Sequence, residues 1–145
     1  MRTLAPYSLL TTMLTLCSSA IAADLRVEIS NADPANGPVY FALFDSEAGF
    51  DARERIAQAI SGDGDQRPAA VFSDLSAGDY AVTVFQDSNH NHKLDTNLQS
   101  APIEPYGFSR NAVGNMGPPG FAAAAISLPA DSETQVIEIE LRTLP

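Results

Sequence analysis

The sequence predicts an all-β domain: a single β-sandwich of about seven strands with one long loop insertion at residues 87–121. Apolar residues recur with a period of two, not with the helical period of about 3.6, along nearly the whole chain. Clusters of Gly, Pro, Asn, Asp and Ser separate the apolar segments at roughly the spacing that β-sandwiches show. No repeat of roughly 20–50 residues, the mark of a solenoid or propeller, interrupts this pattern.

The first 22 residues have the pattern of a secretory signal peptide. Arg2 supplies a short positive start, residues 9–16 are apolar, and Ala20-Ile21-Ala22 forms a small-x-small cleavage site. The apolar segment is too short to span a membrane, and Cys17 lacks the small preceding residue typical of a lipoprotein anchor. We therefore expect a mature domain at 23–145, periplasmic or secreted, with no cysteine for a disulfide or a thiolate site.

The charge of the chain argues against several partners. It carries 18 acidic and 8 basic residues, a net charge of −10, and one basic residue leaves with the signal peptide. Such a surface repels phosphate backbones and anionic lipid head groups, so we expect no nucleic-acid or membrane-surface role. It attracts divalent cations strongly only where carboxylates converge, and elsewhere acidity simply keeps an exported domain soluble.

Strands are expected where apolar and polar residues alternate or where β-branched and aromatic residues form a short run. The predicted strands are 25–29, 39–44, 71–75, 79–86, 123–128 and 134–142. Residues 45–60 fit either a helix or a turn near Ser46 followed by a strand at 55–60, and we expect the turn and strand. Tyr80 should pack inward and bind its hydroxyl to backbone at a sheet corner. The predicted core consists of Leu25, Val27, Ile29, Phe41, Leu43, Val71, Tyr80, Val82, Val84, Ile137, Ile139 and Leu141.

The segment DSNHNHKLD, residues 87–95, follows a strand directly and has the spacing of a calcium loop. In the EF-hand frame, oxygen ligands occupy positions 1, 3, 5, 7 and 9, with a backbone carbonyl at position 7. Asp87, Asn89 and Asn91 fill the first three positions, the Lys93 carbonyl the next, and Asp95 the last. Alternate short side chains of a tight loop can meet at one centre, so this spacing predicts a Ca²⁺ site.

Two departures weaken this site. His92 stands at position 6, where Gly normally adopts a left-handed backbone, and Leu98 stands at position 12, where Glu normally binds. Two carboxylates and two amides predict an affinity on the order of 10⁻⁴–10⁻³ M, with Glu104 or a carboxylate of residues 61–65 completing the ligand shell. Asp and Asn also cap turns without an ion. A weak Ca²⁺ loop and an ion-free network of Asx turns therefore both remain open.

Both histidines of the chain lie in the same segment and offer an alternative metal site. His90 and His92, two residues apart, could share one Zn²⁺ or Cu²⁺ ion in an extended segment, with Asp87 or Asp95 as a third ligand. Two exposed loop histidines are the commoner outcome of such a pair. Because they alternate with the oxygen ligands, they should point away from a calcium site, so the two metal hypotheses exclude each other.

We expect no enzyme, because neither Ser88 nor Ser109 lies in a G-x-S-x-G setting. The length of the 87–121 loop is typical of functional, ligand-ordered or disordered segments. Its apolar residues could cap one end of the sandwich or present a surface to a protein partner that the sequence does not identify. These residues are Tyr106, Phe108, Met116 and Phe121.

Four motifs in order resemble a known family. LSAGDYAV at 75–82 resembles the L-x-x-G-x-Y strand entry of carboxypeptidase-regulatory-like and transthyretin-like sandwiches. It is followed by 87–95, by YGFS at 106–109 and by GPPGF at 117–121. This order resembles the DUF2141 family of small exported bacterial proteins of uncharacterised function, over essentially the whole mature chain.

The resemblance implies an Ig-like or transthyretin-like sandwich, export and a candidate site, but no catalytic residues. The family's loop pattern, D-x-N-x-N-G-K-x-D, has Gly where this chain has His92. We expect an exported non-enzymatic module whose weak Ca²⁺ loop orders residues 87–121, with no other cofactor. The alternatives are a protein that binds Zn²⁺ or Cu²⁺ through His90 and His92, and a ligand-free adhesion or scaffold domain.

Overall fold

A computed structural model describes residues 22–130 and 133–144, and its dominant feature is a pair of β-sheets. Its elements, in chain order, are β1 (Ala23–Ile29), β2 (Val39–Phe44), α1 (Glu47–Ala52), β3 (Ala57–Ile60), β4 (Ala69–Leu75), β5 (Gly78–Gln86), β6 (Tyr106–Phe108), a 3₁₀ turn (Ser109–Asn111), α2 (Phe121–Ala124), β7 (Ile126–Leu128) and β8 (Thr134–Ile139). The predicted all-β sandwich is confirmed, with eight strands instead of about seven. The predicted signal peptide at 1–22 lies, except for Ala22, outside the described residues, as does Cys17.

The sandwich consists of a three-stranded and a five-stranded sheet. The first has the order β4-β1-β8, in which β1 pairs antiparallel with β4 and parallel with β8. The second has the order β3-β2-β5-β6, and β7 pairs with the first part of β5 while β6 pairs with its last part. β5 is therefore the central strand of the second sheet, and the long loop begins where it ends. Among the described residues, no helix is long and apolar enough to cross a membrane.

The inner faces of both sheets form one hydrophobic core. Alternate residues of β1 and β5 point into it, because successive side chains of a strand lie on opposite faces. The predicted core residues of β1, β2 and β5 are all buried, Ile139 and Leu141 are buried, and Ile137 packs against them half-buried. The largest fully buried side chains in the core are Phe41, Leu25, Leu43, Leu128 and Ile139.

The prediction that Val71 belongs to this core is wrong. Val71 is 49% exposed, whereas Ala70 and Phe72 are buried. Val71 pairs with Arg26 on the outer face of the first sheet. The strand expected at 71–75 is present as β4, but the face on which Val71 lies was wrong, since a shift of one residue exchanges the two faces and only the pairing with β1 sets which residues face the core.

Three segments differ from the predicted secondary structure, and the predicted 87–121 loop in addition contains β6 and the 3₁₀ turn. Residues 47–52 form a helix and not just a turn; the Ser46 Oγ caps it by accepting the Gly49 N–H at 3.3 Å, and Arg53 ends it with φ 59°. The strand expected after it is present but shorter, as β3. The strand expected at 123–128 is wrong in its first half, where α2 takes its place. The last predicted strand, 134–142, ends at Ile139.

Tyr80 forms the predicted corner. Its ring is buried at 7% exposure, and its hydroxyl donates a hydrogen bond to the Ser76 carbonyl oxygen at 2.9 Å. Burial, and then the charge of Asp45, raise the pKa of the Tyr80 hydroxyl, so this group remains a donor at neutral pH.

Tyr80→Phe should lower the free energy of unfolding by about 1 kcal/mol, because it removes one partly buried hydrogen bond and leaves the ring in place. Urea unfolding measures the change. The far-UV circular dichroism spectrum should stay unchanged. A variant as stable as the wild type would show that the corner hydrogen bond contributes nothing.

Candidate functional site

The long loop begins at the end of β5, where hydrogen bonds hold its first residue and the residue before it. Gln86 is buried, and its Nε2 donates to the carbonyl oxygens of Asp33 at 2.7 Å and Gly37 at 2.9 Å. The next residue, Asp87, is fully buried, and its backbone N–H donates to the Pro38 carbonyl oxygen at 3.0 Å. The turn before β2 and the start of the loop are therefore held together.

The Asp87 carboxylate folds the following residues around itself. Its Oδ1 accepts the Asn91 N–H at 3.1 Å, and its Oδ2 accepts the His92 N–H at 2.8 Å. His92 has φ 65°, and His90 has φ 59°. The left-handed backbone expected at position 6 of the calcium frame is thus present, although the residue there is His and not Gly.

The other predicted oxygen ligands converge on one carboxylate oxygen. The Nδ2 atoms of Asn89 and Asn91 donate to Asp95 Oδ2 at 2.5 Å and 2.7 Å. The Oδ1 of Asn89 accepts the Asn91 N–H at 3.2 Å, and the Oδ1 of Asn91 accepts the Lys93 N–H at 3.1 Å. The last two bonds are Asx turns, so the predicted turn network is present and brings three of the predicted ligands together.

Glu104, in the bend just before β6, holds residues 88–95 from the other side. It is only 4% exposed, and its two carboxylate oxygens accept the Ser88 N–H at 2.8 Å and the Asp95 N–H at 3.0 Å. The sequence suggested Glu104 as a ligand from outside the 87–95 segment. In the structure its role is to hold the backbone on both sides of the cluster.

The cluster could hold a cation only through amide and backbone oxygens as well as carboxylates. In the described part of the chain, no three His, Cys, Asp or Glu side chains lie close enough together to bind a metal ion. Rotation of the Asn89 and Asn91 amides by a half-turn would bring their two oxygens beside Asp95 Oδ2, an arrangement that requires a cation between the three oxygens, and it would break the two Asx turns, whose Oδ1 acceptors would become Nδ2 donors. Mixed carboxylate, amide and carbonyl ligands suit Ca²⁺.

The two histidines contact different parts of the fold. His92 Nδ1 forms a hydrogen bond with the Tyr40 hydroxyl on the outer face of the second sheet, and the two rings meet edge to face at 6.1 Å. The His90 ring lies beside Gly37, where an added Cβ would be 3.5 Å from His90 Cε1. Burial, and then the charge of Asp87, raise the pKa of Tyr40.

The aromatic residues of the loop do not share one environment. Phe108 and Phe121 are half-buried and lie 6.3 Å and 6.0 Å from the Phe50 ring of α1, in a small second cluster that α1 and α2 cover. Tyr106 is half-buried and meets Phe108 edge to face at 6.0 Å. Met116 is fully exposed. Of the four residues suggested as a partner surface, Met116 is thus the fully exposed one.

Sequence reasoning missed two residues that organise the loop. Gln86 was seen as a strand end, and Ser109 was considered as a nucleophile and as part of the YGFS motif. Ser109 is fully buried; its Oγ donates to the Ala124 carbonyl oxygen at 2.6 Å and accepts the Val82 N–H at 2.9 Å. No local pattern reveals such roles, because the partners of Gln86 and Ser109 lie 15 to 53 residues away.

The sequence matches one family of known proteins. The family described as "Uncharacterized protein conserved in bacteria (DUF2141)" matches residues 27–137. The chain belongs to the DUF2141 family. The match spans the whole 87–121 loop, so the cluster at 87–95 lies inside the DUF2141 domain. Neither a curated protein nor a solved structure matches the chain.

Proposed function

We propose that this DUF2141 protein is an exported, non-enzymatic β-sandwich module and that residues 87–95 bind Ca²⁺ weakly, ordering the 87–121 loop. The observation that carries the calcium proposal is the convergence of Asn89 and Asn91 on Asp95, on a backbone that is left-handed at His92. The signal-peptide pattern of residues 1–22 supports export.

A structural role for Ser109 supports a module without catalysis. Its hydroxyl is fully buried and bonded to two backbone groups, so it is not available to attack a substrate. Ser88 is exposed, and its N–H is bound by Glu104. A serine nucleophile requires an adjacent base, and Ser109 has backbone partners in its place.

The proposed ligands are the carboxylates of Asp87 and Asp95, the amide oxygens of Asn89 and Asn91, and the Lys93 carbonyl. Only two of these groups carry charge, which places the dissociation constant on the order of 10⁻⁴–10⁻³ M, the range of extracellular modules. At 1 mM calcium such a site would be about half to nine-tenths occupied. It would replace hydrogen bonds between exposed side chains by ligand bonds that cross-link residues 87–95.

With a dissociation constant of about 10⁻⁴ M, calcium at 1 mM should raise the melting temperature by about 3–8 °C relative to chelator, because this tenfold excess stabilises the fold by about 1.4 kcal/mol. Asp95→Asn should abolish this rise, since it removes one charge at the centre of the cluster and keeps the size of the side chain. Thermal unfolding followed by circular dichroism measures both.

Asp51→Asn is the matched control, because Asp51 is exposed on α1 and lies outside the loop. It should retain the full calcium response. An unchanged melting temperature of the wild type in calcium, or an equal rise in Asp95→Asn, would contradict the proposal and favour a self-capped turn in a ligand-free scaffold domain.

The same measurement with Zn²⁺ and Cu²⁺ tests the histidine alternative. A rise with either ion that disappears in a His90→Ala/His92→Ala double variant would replace the calcium proposal. The double variant separates the two hypotheses, because it removes both imidazoles and leaves every proposed calcium ligand in place.

A further inference from the structure

The outer face of the second sheet carries a groove beside the part that α1 and α2 cover. It has a volume of about 330 Å³, and its lining includes Tyr40, Ala42, Arg55, Gln58, Thr83 and Phe85. Tyr40 pairs with Ile60 on one side and Phe85 on the other, so these three stand in one row across the strands. Ala42 and Thr83 pair in the adjacent row, where their small side chains leave space above the sheet.

The groove has an apolar wall and a polar edge. The rings of Tyr40 and Phe85 stack at 4.9 Å with an angle of 10° and form the wall. Ala42 and Thr83 form the floor. Arg55 and Gln58 belong to the edge strand β3 and the residues before it, so their polar groups line the groove along that edge.

The charge of the groove differs from that of the chain. None of its nine lining residues is acidic, although the chain has 18 acidic residues. Arg55 is exposed. Within the described ranges, the charged groups closer than 4.0 Å are those of Arg26 and Glu28, so Arg55 has no carboxylate partner there. A free guanidinium binds carboxylates through two parallel hydrogen bonds.

We propose that this groove binds a small aromatic carboxylate. Its ring would lie over Ala42 and Thr83 against the wall formed by Tyr40 and Phe85, and its carboxylate would bind Arg55. The volume lies at the low end of the range for small-molecule sites, roughly 300–1,000 Å³, and therefore suits one or two fused rings. A neutral sugar would need polar partners around its whole rim, whereas floor and wall here are mainly apolar. The proposal does not depend on calcium binding.

Titration of the ¹⁵N-labelled full chain with 2-naphthoate tests it by NMR. We expect a dissociation constant on the order of 1 mM for a ligand of this size, with the largest shifts at the backbone amides of Ala42, Thr83 and Arg55. The neutral analogue 2-naphthamide should bind about tenfold more weakly, and so should naphthoate to Arg55→Gln, because each loses a charge-assisted hydrogen bond.

Arg67→Gln is the matched control, since Arg67 is also exposed but lies outside this groove. It should bind naphthoate as tightly as the wild type. The proposal is overturned if naphthamide binds as well as naphthoate, if Arg55→Gln keeps wild-type affinity, or if naphthoate at 10 times the expected constant shifts no groove amide. Arg55 is on the surface, so its variant should remain folded, and an unchanged melting temperature verifies this.

Discussion

Gly37→Ala should lower the free energy of unfolding by about 2–4 kcal/mol, combining strain at a positive φ with a clash. Gly37 has φ +82°, a conformation that residues with a Cβ rarely adopt, and an added Cβ would lie 2.1 Å from the Asp87 carbonyl oxygen. Two hydrogen bonds restrict movement of the backbone away from this clash: the Gly37 carbonyl accepts the Gln86 side-chain amide, and the Pro38 carbonyl accepts the Asp87 N–H. Urea unfolding measures the loss.

Gly64→Ala is the control for Gly37→Ala. Gly64 has a similar φ, +76°, but an added Cβ there would meet nothing within 4 Å. We expect a loss of about 1 kcal/mol from conformation alone. Equal losses in the two variants would show that the close approach between Gly37 and Asp87 does not contribute, and that the base of the loop is looser than the structure indicates.

Asp87→Ala should lower the free energy of unfolding by about 2–4 kcal/mol even in chelator, because it leaves two backbone N–H groups without their acceptor. Those groups belong to Asn91 and His92, and the carboxylate that binds them is fully buried. Urea unfolding gives the loss. Faster hydrogen exchange at these two amides should accompany it, since both lose their hydrogen bonds.

Asp95→Ala is the control for Asp87→Ala. Asp95 accepts only side-chain amides at a more exposed position, and its own N–H stays bound to Glu104. Water can replace the lost bonds, so we expect a loss below about 1 kcal/mol in chelator. A loss as large as that of Asp87→Ala would contradict the division between a buried base and an exposed cluster.

Variants of the two aspartates therefore test different properties. Asp87 supports the fold of the loop with or without an ion, so a variant there confounds calcium binding with folding. Asp95 lies where the amides of Asn89 and Asn91 converge and contributes little to the stability of the fold. A variant of Asp95 therefore tests calcium binding. For this reason the calcium experiment depends on Asp95→Asn.

Tyr40 contacts both the 87–95 segment and the groove. Its hydroxyl is bonded to His92 of the loop, while its ring stacks on Phe85 and forms part of the groove wall. Burial, and then the charge of Asp87, raise the pKa of Tyr40. Calcium binding and ligand binding in the groove can nevertheless be measured apart, through Asp95→Asn and Arg55→Gln.

The strands that local pattern alone predicts best are β1 and β2. β1 alternates apolar and charged residues, and β2 is apolar on both faces because the core lies on one side and the aromatic row on the other. Both were expected within two residues of their observed ends. The pattern failed at Val71, where pairing register decides the outcome, and at residues 123–124 of the strand predicted at 123–128, where α2 packs on Phe50.

The sequence by itself determined the sandwich class and the spacing of Asp87, Asn89, Asn91 and Asp95, because both depend on periodicities of a few residues. Even the left-handed backbone at His92 could be expected from the spacing. The tertiary structure decided the rest. Gln86, Glu104 and Gly37 organise the loop, and Arg55 and Phe85 share a groove, only because distant segments meet across the sheets. Strand register and core packing set these long-range contacts, and neither can be read from a short stretch of sequence.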